Sequence, residues 1–176
     1  RLIFRSFYSD DVTSKFEDMA GDEDMGRRME DQVVQVCNVI GRNTVVFFPS
    51  YALMDRFISD RVLPRLKPKV HVEERGMAQN DLMEVVSRFK GQSEQGAVLF
   101  AVMGGRISEG IDFPDRELEV AVIVGIPYPK PTAKQKALQY YYDIRFGKGW
   151  DYTVRAPTAR RLQQSIGRLI RSERDR

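Results

Sequence analysis

Two constellations near the end of the chain carry residue types that can hold an anion. From Gln163 to Arg176 the sequence reads QQSIGRLIRSERDR. Wound as a helix at about 100° per residue, Arg161, Gln164, Arg168 and Arg171 share one narrow sector, with Leu162, Ile166 and Leu169 on the opposite side. One face is then built to pack on a core, while the other offers three guanidinium groups and an amide, planar donors that suit phosphate or carboxylate. A solvated basic face has the same pattern, so the helix alone decides nothing. Gly104 to Phe113 (GGRISEGIDF) combines glycines for close backbone approach with Arg106, Ser108, Glu109 and Asp112. Backbone amides, Arg106 and Ser108 suit a phosphodiester; Asp112 or Glu109 suits a ribose hydroxyl, an ordering salt bridge or the arginines of the final helix. The plainer reading is a glycine-rich turn with surface charge.

The elements that must position these residues follow from periodicity. Met25, Met29, Val33, Val36, Cys37 and Ile40 recur at helical spacing and Gly41 stops them. Thr44 to Phe48 (TVVFF) is apolar on both faces, as a central parallel strand is, and ends in Pro49-Ser50-Tyr51. A helix through Leu53, Phe57 and Val62 is expected to close near Pro64. Lys69 to Glu73 is a second strand, and its His71, the only histidine, reads as structural. Asn80 to Lys90 is a helix with Leu82, Val85, Val86 and Phe89 inward. Gly96 to Val102 and Glu119 to Ile126 complete the strands, with Met103 to Pro114 as a loop between them. Thr132 to Phe146 is helical with Tyr140, Tyr141 and Ile144 as inner residues, Gly147 to Trp150 breaks it, and Ala156-Pro157-Thr158 starts the final helix. Leu2 to Phe7 is a weaker strand candidate. Alternating strands and helices with apolar strands give an open, doubly wound α/β domain, one lobe over residues 1–176. Ligands bind such sheets at the carboxyl ends of the strands, which selects the loops starting at Pro49, Glu74, Met103 and Pro127.

Composition narrows the chemistry. One cysteine, Cys37, makes neither an internal disulfide nor a cysteine-ligated cluster. No metal site, no nucleophile with an evident base and no phosphate-binding loop ending in Lys and Ser or Thr is present; after Gly110 come Ile111 and Asp112 instead. No apolar run approaches the length that spans a bilayer, so an intracellular protein without membrane contact is expected, and the missing initial Met marks a piece of something longer. Net charge is only +3, yet residues 9–31 hold nine acids against three bases, and residues 155–176 hold seven Arg against two acids. The acidic segment, about residues 9–24, reads as a surface loop with Phe16 and Met19 tucked down, and the basic end calls for an anionic partner.

TVVFFPSY, AVMGGRISEGIDFP and QQSIGRLIR, in this order and spacing, resemble motifs IV (about 44–51), V (about 98–114) and VI (about 163–171) of the second motor lobe of a superfamily 2 helicase. SEGIDF followed by IPYP resembles the XPD and DinG branch of iron-sulfur DNA helicases. The resemblance covers roughly residues 40–176 and implies a RecA-like lobe that meets a first lobe carrying the phosphate-binding loop, with ATP and Mg²⁺ held between them. It implies a 5′ to 3′ DNA helicase acting in DNA repair, nucleotide excision repair included, with single-stranded DNA, the first lobe and repair-complex proteins as partners. A 4Fe-4S cluster would belong to the first lobe. The location would be the nucleoid or cytoplasm in a prokaryote and the nucleus in a eukaryote. Residue by residue, Arg168 and Arg171 match the motif VI arginine fingers, Gln164 its leading glutamine, and Gly167 a point of close helix approach. Gly110 and Asp112 match positions that couple nucleotide to DNA. Gly105, Arg106 and Ser108, with Ser50 and Tyr51 of motif IV, are candidates for the DNA backbone, and Trp150, with Tyr128 second, for stacking on bases or for packing in the core. Gly104 departs from the family pattern, which often has Arg there, and the family's sheet continues with a strand after motif VI. A non-catalytic RecA-like nucleic-acid-binding module and an RNA helicase lobe are the alternatives.

Overall fold

A computed structural model of the chain describes residues 6–13, 22–59, 61–129 and 131–167. The expected strand at Leu2 to Phe7 lies outside them except for Ser6 and Phe7, which are not in a strand, and Phe16 and Met19 lie outside them altogether.

Four strands, β1 (Thr44–Phe48), β2 (Lys69–Val72), β3 (Ala97–Val102) and β4 (Val120–Ile123), form one parallel sheet in the order β2-β3-β1-β4. Every residue of β1 and β3, the two inner strands, is buried. The period of two sorts their side chains onto two faces. Val46, Phe48, Val98, Phe100 and Val102 meet Met29, Val33, Val34 and Cys37 of helix α1 (Glu23–Ile40) and Met54 and Phe57 of α2 (Tyr51–Phe57). Val45, Phe47, Leu99 and Ala101 meet Leu82, Val86 and Phe89 of α3 (Gln79–Lys90) together with Ile107, Ile111 and Phe113. The doubly covered α/β sheet is thus as the sequence predicts.

Local chemistry sets the boundaries. Asp22 caps α1, its carboxylate accepting from the amides of Asp24 and Met25, and Gly41 ends the helix in the left-handed region at φ 59°. Burial pushes the Cys37 thiol up to about 12. α2 stops at Phe57 rather than near Pro64, because the step of five from Phe57 to Val62 leaves the helical stripe; Val62 still reaches the core, followed by a 3₁₀ turn, Leu63–Arg65. β4 is shorter than expected since Gly125 turns the chain at φ 80°.

Asn43, buried just before β1, fastens three elements at the opposite end of the sheet from the candidate loops. Its Nδ2 donates to the carbonyls of Phe89 and Glu117, both at 3.0 Å, and its Oδ1 accepts from the Ala97 amide at 2.9 Å.

Past β4, helix α5 (Ala133–Phe146) buries none of its residues. Tyr140, Tyr141 and Ile144, expected inward, are 69%, 56% and 69% exposed. Three consecutive tyrosines cannot share a face, so the apolar residues are spread around the helix, and α5 is held by the rings of Tyr142 and Phe146 against Tyr152 and by polar contacts at its ends. Gln135 donates to the Thr153 carbonyl at 2.6 Å, and Asp143 accepts from the Gly149 amide at 2.6 Å. A π-helical turn, Asp151–Arg155, leads directly into α6 (Ala156–Ile166), the final helix of the described residues.

Candidate functional site

The carboxyl ends of β1, β2 and β3 converge on one polar cluster, and its centre is a residue that periodicity does not single out. Glu73 follows β2 and is fully buried. Its Oε2 accepts from the Val102 amide at 3.2 Å, its Oε1 accepts from the Tyr51 hydroxyl at 3.4 Å, and the Arg106 amide donates to it as well. Burial pushes its carboxyl pKa above the ordinary value, opposed by those three donors and by the charge of Arg106. Burial, followed by the neighbouring Glu73, raises the Tyr51 phenol too, which keeps it a donor.

Tyr51 opens α2, whose cap is Ser50: the Ser50 hydroxyl oxygen accepts from the Leu53 amide at 3.3 Å. Arg75, from the loop after β2, lies over the Tyr51 ring at 5.1 Å. That loop was selected by the strand-end rule, but Glu73 and Arg75 were missed. A carboxylate at the end of an alternating strand looks like any surface charge.

The stretch read as a loop after β3 contains a short helix, α4 (Arg106–Gly110). Apolar Ile107 is buried beneath it and wins a helical turn from a glycine-rich sequence. This corrects the picture of an open amide cradle. The Gly105 amide donates to the Val102 carbonyl at 2.9 Å and the Arg106 amide to Glu73, so the first amides are occupied from within. Ser108 is 1% exposed and its hydroxyl donates to the Gly105 carbonyl at 3.0 Å, which places it inside the turn. Only the Arg106 side chain of this trio is turned outward, donating to the Met77 carbonyl at 2.6 Å and to Gln79 Oε1 at 3.4 Å. Gly104 has φ 76°, a conformation that explains glycine where the resemblance leads one to expect Arg. At Gly105 a Cβ would fall 2.8 Å from the Val102 carbonyl oxygen and 2.9 Å from Glu73 Oε1. At Gly110 it would meet nothing within 4 Å. Asp112 is exposed, and its carbonyl accepts from Lys90 Nζ at 2.5 Å.

α6 packs beside this turn, with Leu162 against the cluster that contains Ile107 and Ile111. Arg161 reaches the Pro127 carbonyl, in the loop after β4, at 3.5 Å. Gln164 is exposed at the turn preceding Gly167. The atoms nearest a Cβ at Gly167 are carbonyl oxygens of its own helix, Gln163 at 2.9 Å. Arg168 and Arg171 lie outside the described residues. Trp150 and Tyr128 are 54% and 52% exposed with ring centroids 6.2 Å apart, which rules out core packing for either ring. They stand on the β4 side, away from the Glu73 cluster at the β2 edge.

A family model described as "Helicase C-terminal domain" matches residues 33–176. The chain belongs to the helicase C-terminal domain family. Among its relatives in this family, "ATP-dependent DNA helicase XPD" of Sulfolobus acidocaldarius is 31% identical over 170 residues, covering 94% of this chain and 29% of that protein. "Fanconi anemia group J protein homolog" of Gallus gallus is 32% identical over 164 residues, covering 81% and 13%. A solved structure, "XPD_APO", superimposes with a TM-score of 0.71 at 28% identity over 94% of this chain and 32% of its own. The lobe is therefore XPD-like. It spans between 13% and 29% of the length of the curated relatives it matches. Among the described residues, no helix of this helicase C-terminal domain is long and apolar enough to cross a membrane.

Proposed function

We propose that this chain is the second motor lobe of an ATP-dependent DNA helicase that moves 5′ to 3′ on single-stranded DNA and serves DNA repair; three of its relatives are named ATP-dependent DNA helicases. The observation that carries this reading is the seating of α6 against the motif V turn at the carboxyl ends of the strands, with Gln164 exposed beside it. A first lobe would supply the phosphate-binding loop, and ATP with Mg²⁺ would lie between the lobes. The residues here fit that division: they offer exposed Gln164, open space at Gly110 and, further along the motif, Arg168 and Arg171. Bound ATP would supply the energy of phosphoryl transfer. Positive charge set against the transferring phosphoryl group by Arg168 and Arg171 would lower its barrier, while Gln164 orients the nucleotide.

The strand would run past Ser50, Tyr51 and Arg106, with Gly105 and Ser108 shaping the turn behind them, and towards the Trp150 and Tyr128 rings. Asp112 and Gly110 would join the strand side to the nucleotide side. The test is Arg168→Ala in the complete protein, expected to lower ATP turnover by about 10³-fold or more while single-strand binding is kept. Normal turnover would remove the finger assignment. Unwinding assays on duplexes with a 5′ or a 3′ tail, in DNA and RNA, decide polarity and substrate. A complete protein without strand-stimulated turnover would instead be a binding module.

A further inference from the structure

Glu73 spans a distance no other side chain of the cluster does. β2 is the edge strand and β1 lies beyond β3, so the contact from the end of β2 to Tyr51 crosses over the end of β3. On the way its carboxylate meets the last amide of β3, Val102, and the first amide of α4, Arg106. Its own backbone is held in the sheet, the Glu73 amide donating to the Phe100 carbonyl at 2.9 Å. Gly105 has no room for a Cβ, which would lie 2.8 Å from the Val102 carbonyl oxygen and 2.9 and 3.1 Å from the two carboxylate oxygens of Glu73. A leucine would fill such a position without the cost of burying a charge. Only a group with two acceptor oxygens satisfies two N–H donors and a hydroxyl at once.

We propose that Glu73 is a positioning residue that ties motif IV to motif V: its buried carboxylate holds the Tyr51 hydroxyl and the start of α4 in one register, so that a strand engaging either loop acts on both. This rests on the strand-binding reading of those loops given above. Tyr51, under Arg75, and Arg106 are the groups that would meet the strand phosphates, and Glu73 sets their relative position without touching DNA. In Glu73→Gln the volume is kept but the charge is lost, and the new NH₂ meets either a backbone N–H or the Tyr51 hydroxyl, which must then turn and accept; in both cases the charge-assisted bonds that hold the loops weaken.

The experiment uses the complete protein and oligothymidylate, following ATP turnover against strand concentration. For Glu73→Gln the half-saturating strand concentration is expected to rise about tenfold, the loss of one hydrogen bond to a charged group, with the maximal rate falling less than twofold. Tyr51→Phe is expected to raise it about threefold, and the double variant no further than Glu73→Gln alone, because the two groups act as a unit. Unchanged half-saturation in Glu73→Gln overturns the proposal. So does a lower maximal rate at unchanged half-saturation, which is what a merely structural role gives by reducing the folded fraction. Effects that multiply in the double variant also overturn it. If Glu73→Gln fails to fold, unchanged half-saturation in Tyr51→Phe is sufficient to reject it. Absence of strand-stimulated turnover in the unaltered protein removes the motor reading itself, whereas stimulated wild type with unaffected variants removes only the role of Glu73.

Discussion

Two glycines of the motif V turn, five residues apart, should answer the same substitution in opposite ways. In Gly105→Ala the new Cβ lands 2.8 Å from the Val102 carbonyl oxygen and 2.9 Å from Glu73 Oε1. The first is backbone of a fully buried strand; the second belongs to a carboxylate held by three donors. Relief requires the carboxylate to leave at least two of them, at about 1.5–3 kcal/mol for each hydrogen bond to a charged group, or about 3–6 kcal/mol in all. For a domain of this length that lowers the melting temperature by roughly 10 °C. In Gly110→Ala the Cβ meets nothing within 4 Å at the end of α4, and the change should stabilise the helix by about 0.5–1 kcal/mol, raising the midpoint by about 2 °C. Thermal melts followed by circular dichroism measure both. ATP turnover of the complete protein then separates fold from function. Gly110→Ala is expected to lose turnover at least tenfold despite its higher midpoint, because nucleotide or the facing lobe must use the space the glycine leaves. Equal melting temperatures for the two variants would refute the steric argument, and full turnover in Gly110→Ala would refute the role given to its open side.

Asn43→Ala leaves the Ala97 amide and the Phe89 and Glu117 carbonyls without their partner and should cost about 3–5 kcal/mol in denaturant titrations; a loss below 1 kcal/mol would contradict the three-way tie. With its pKa pushed up to about 12 and its side chain buried, Cys37 should react with iodoacetamide at pH 8 only after unfolding, and rapid labelling of the native protein would place it elsewhere. Trp150→Ala should weaken single-strand binding by about 1–3 kcal/mol at an unchanged salt slope. Arg106→Gln should instead reduce the slope by about 0.7, one counterion contact, and identical slopes in the two variants would overturn the division of labour between ring and charge.

The sheet was legible because its two inner strands, β1 and β3, are short apolar runs near glycine or proline, and burial on both faces leaves such runs no other place. Thr44–Phe48 was placed to the residue for that reason. Failures fall where tertiary contacts override a local pattern. Val62 reaches the core from a turn and not from α2, and α4 winds where glycines promise a loop because Ile107 has a core to enter. The reverse holds for α5, where Tyr140 and Tyr141 look like core residues and are exposed, while Tyr142 packs on Tyr152 of the following turn.

The candidate site divides along the same line. Motif spacing locates Ser50, Tyr51, Arg106 and Gln164 at strand ends and beside the motif V turn, since spacing in an α/β sheet converts directly into place. It does not say which donors of a loop are already in use. The glycines of motif V invite an amide cradle for phosphate, yet Glu73 takes the Arg106 amide, and at Gly105 the Val102 carbonyl and that carboxylate together leave no room for a side chain. In front of the buried carboxylate stand two exposed guanidinium groups, Arg106 of the turn and Arg75 of the loop after β2, while the turn also exposes Glu109 and Asp112. On the strand-binding reading proposed above, attraction would come through these guanidinium groups rather than through the Gly105 and Arg106 amides, which are already in use. Guanidinium groups contact phosphates without reading base sequence, which is what that proposed reading asks of the turn.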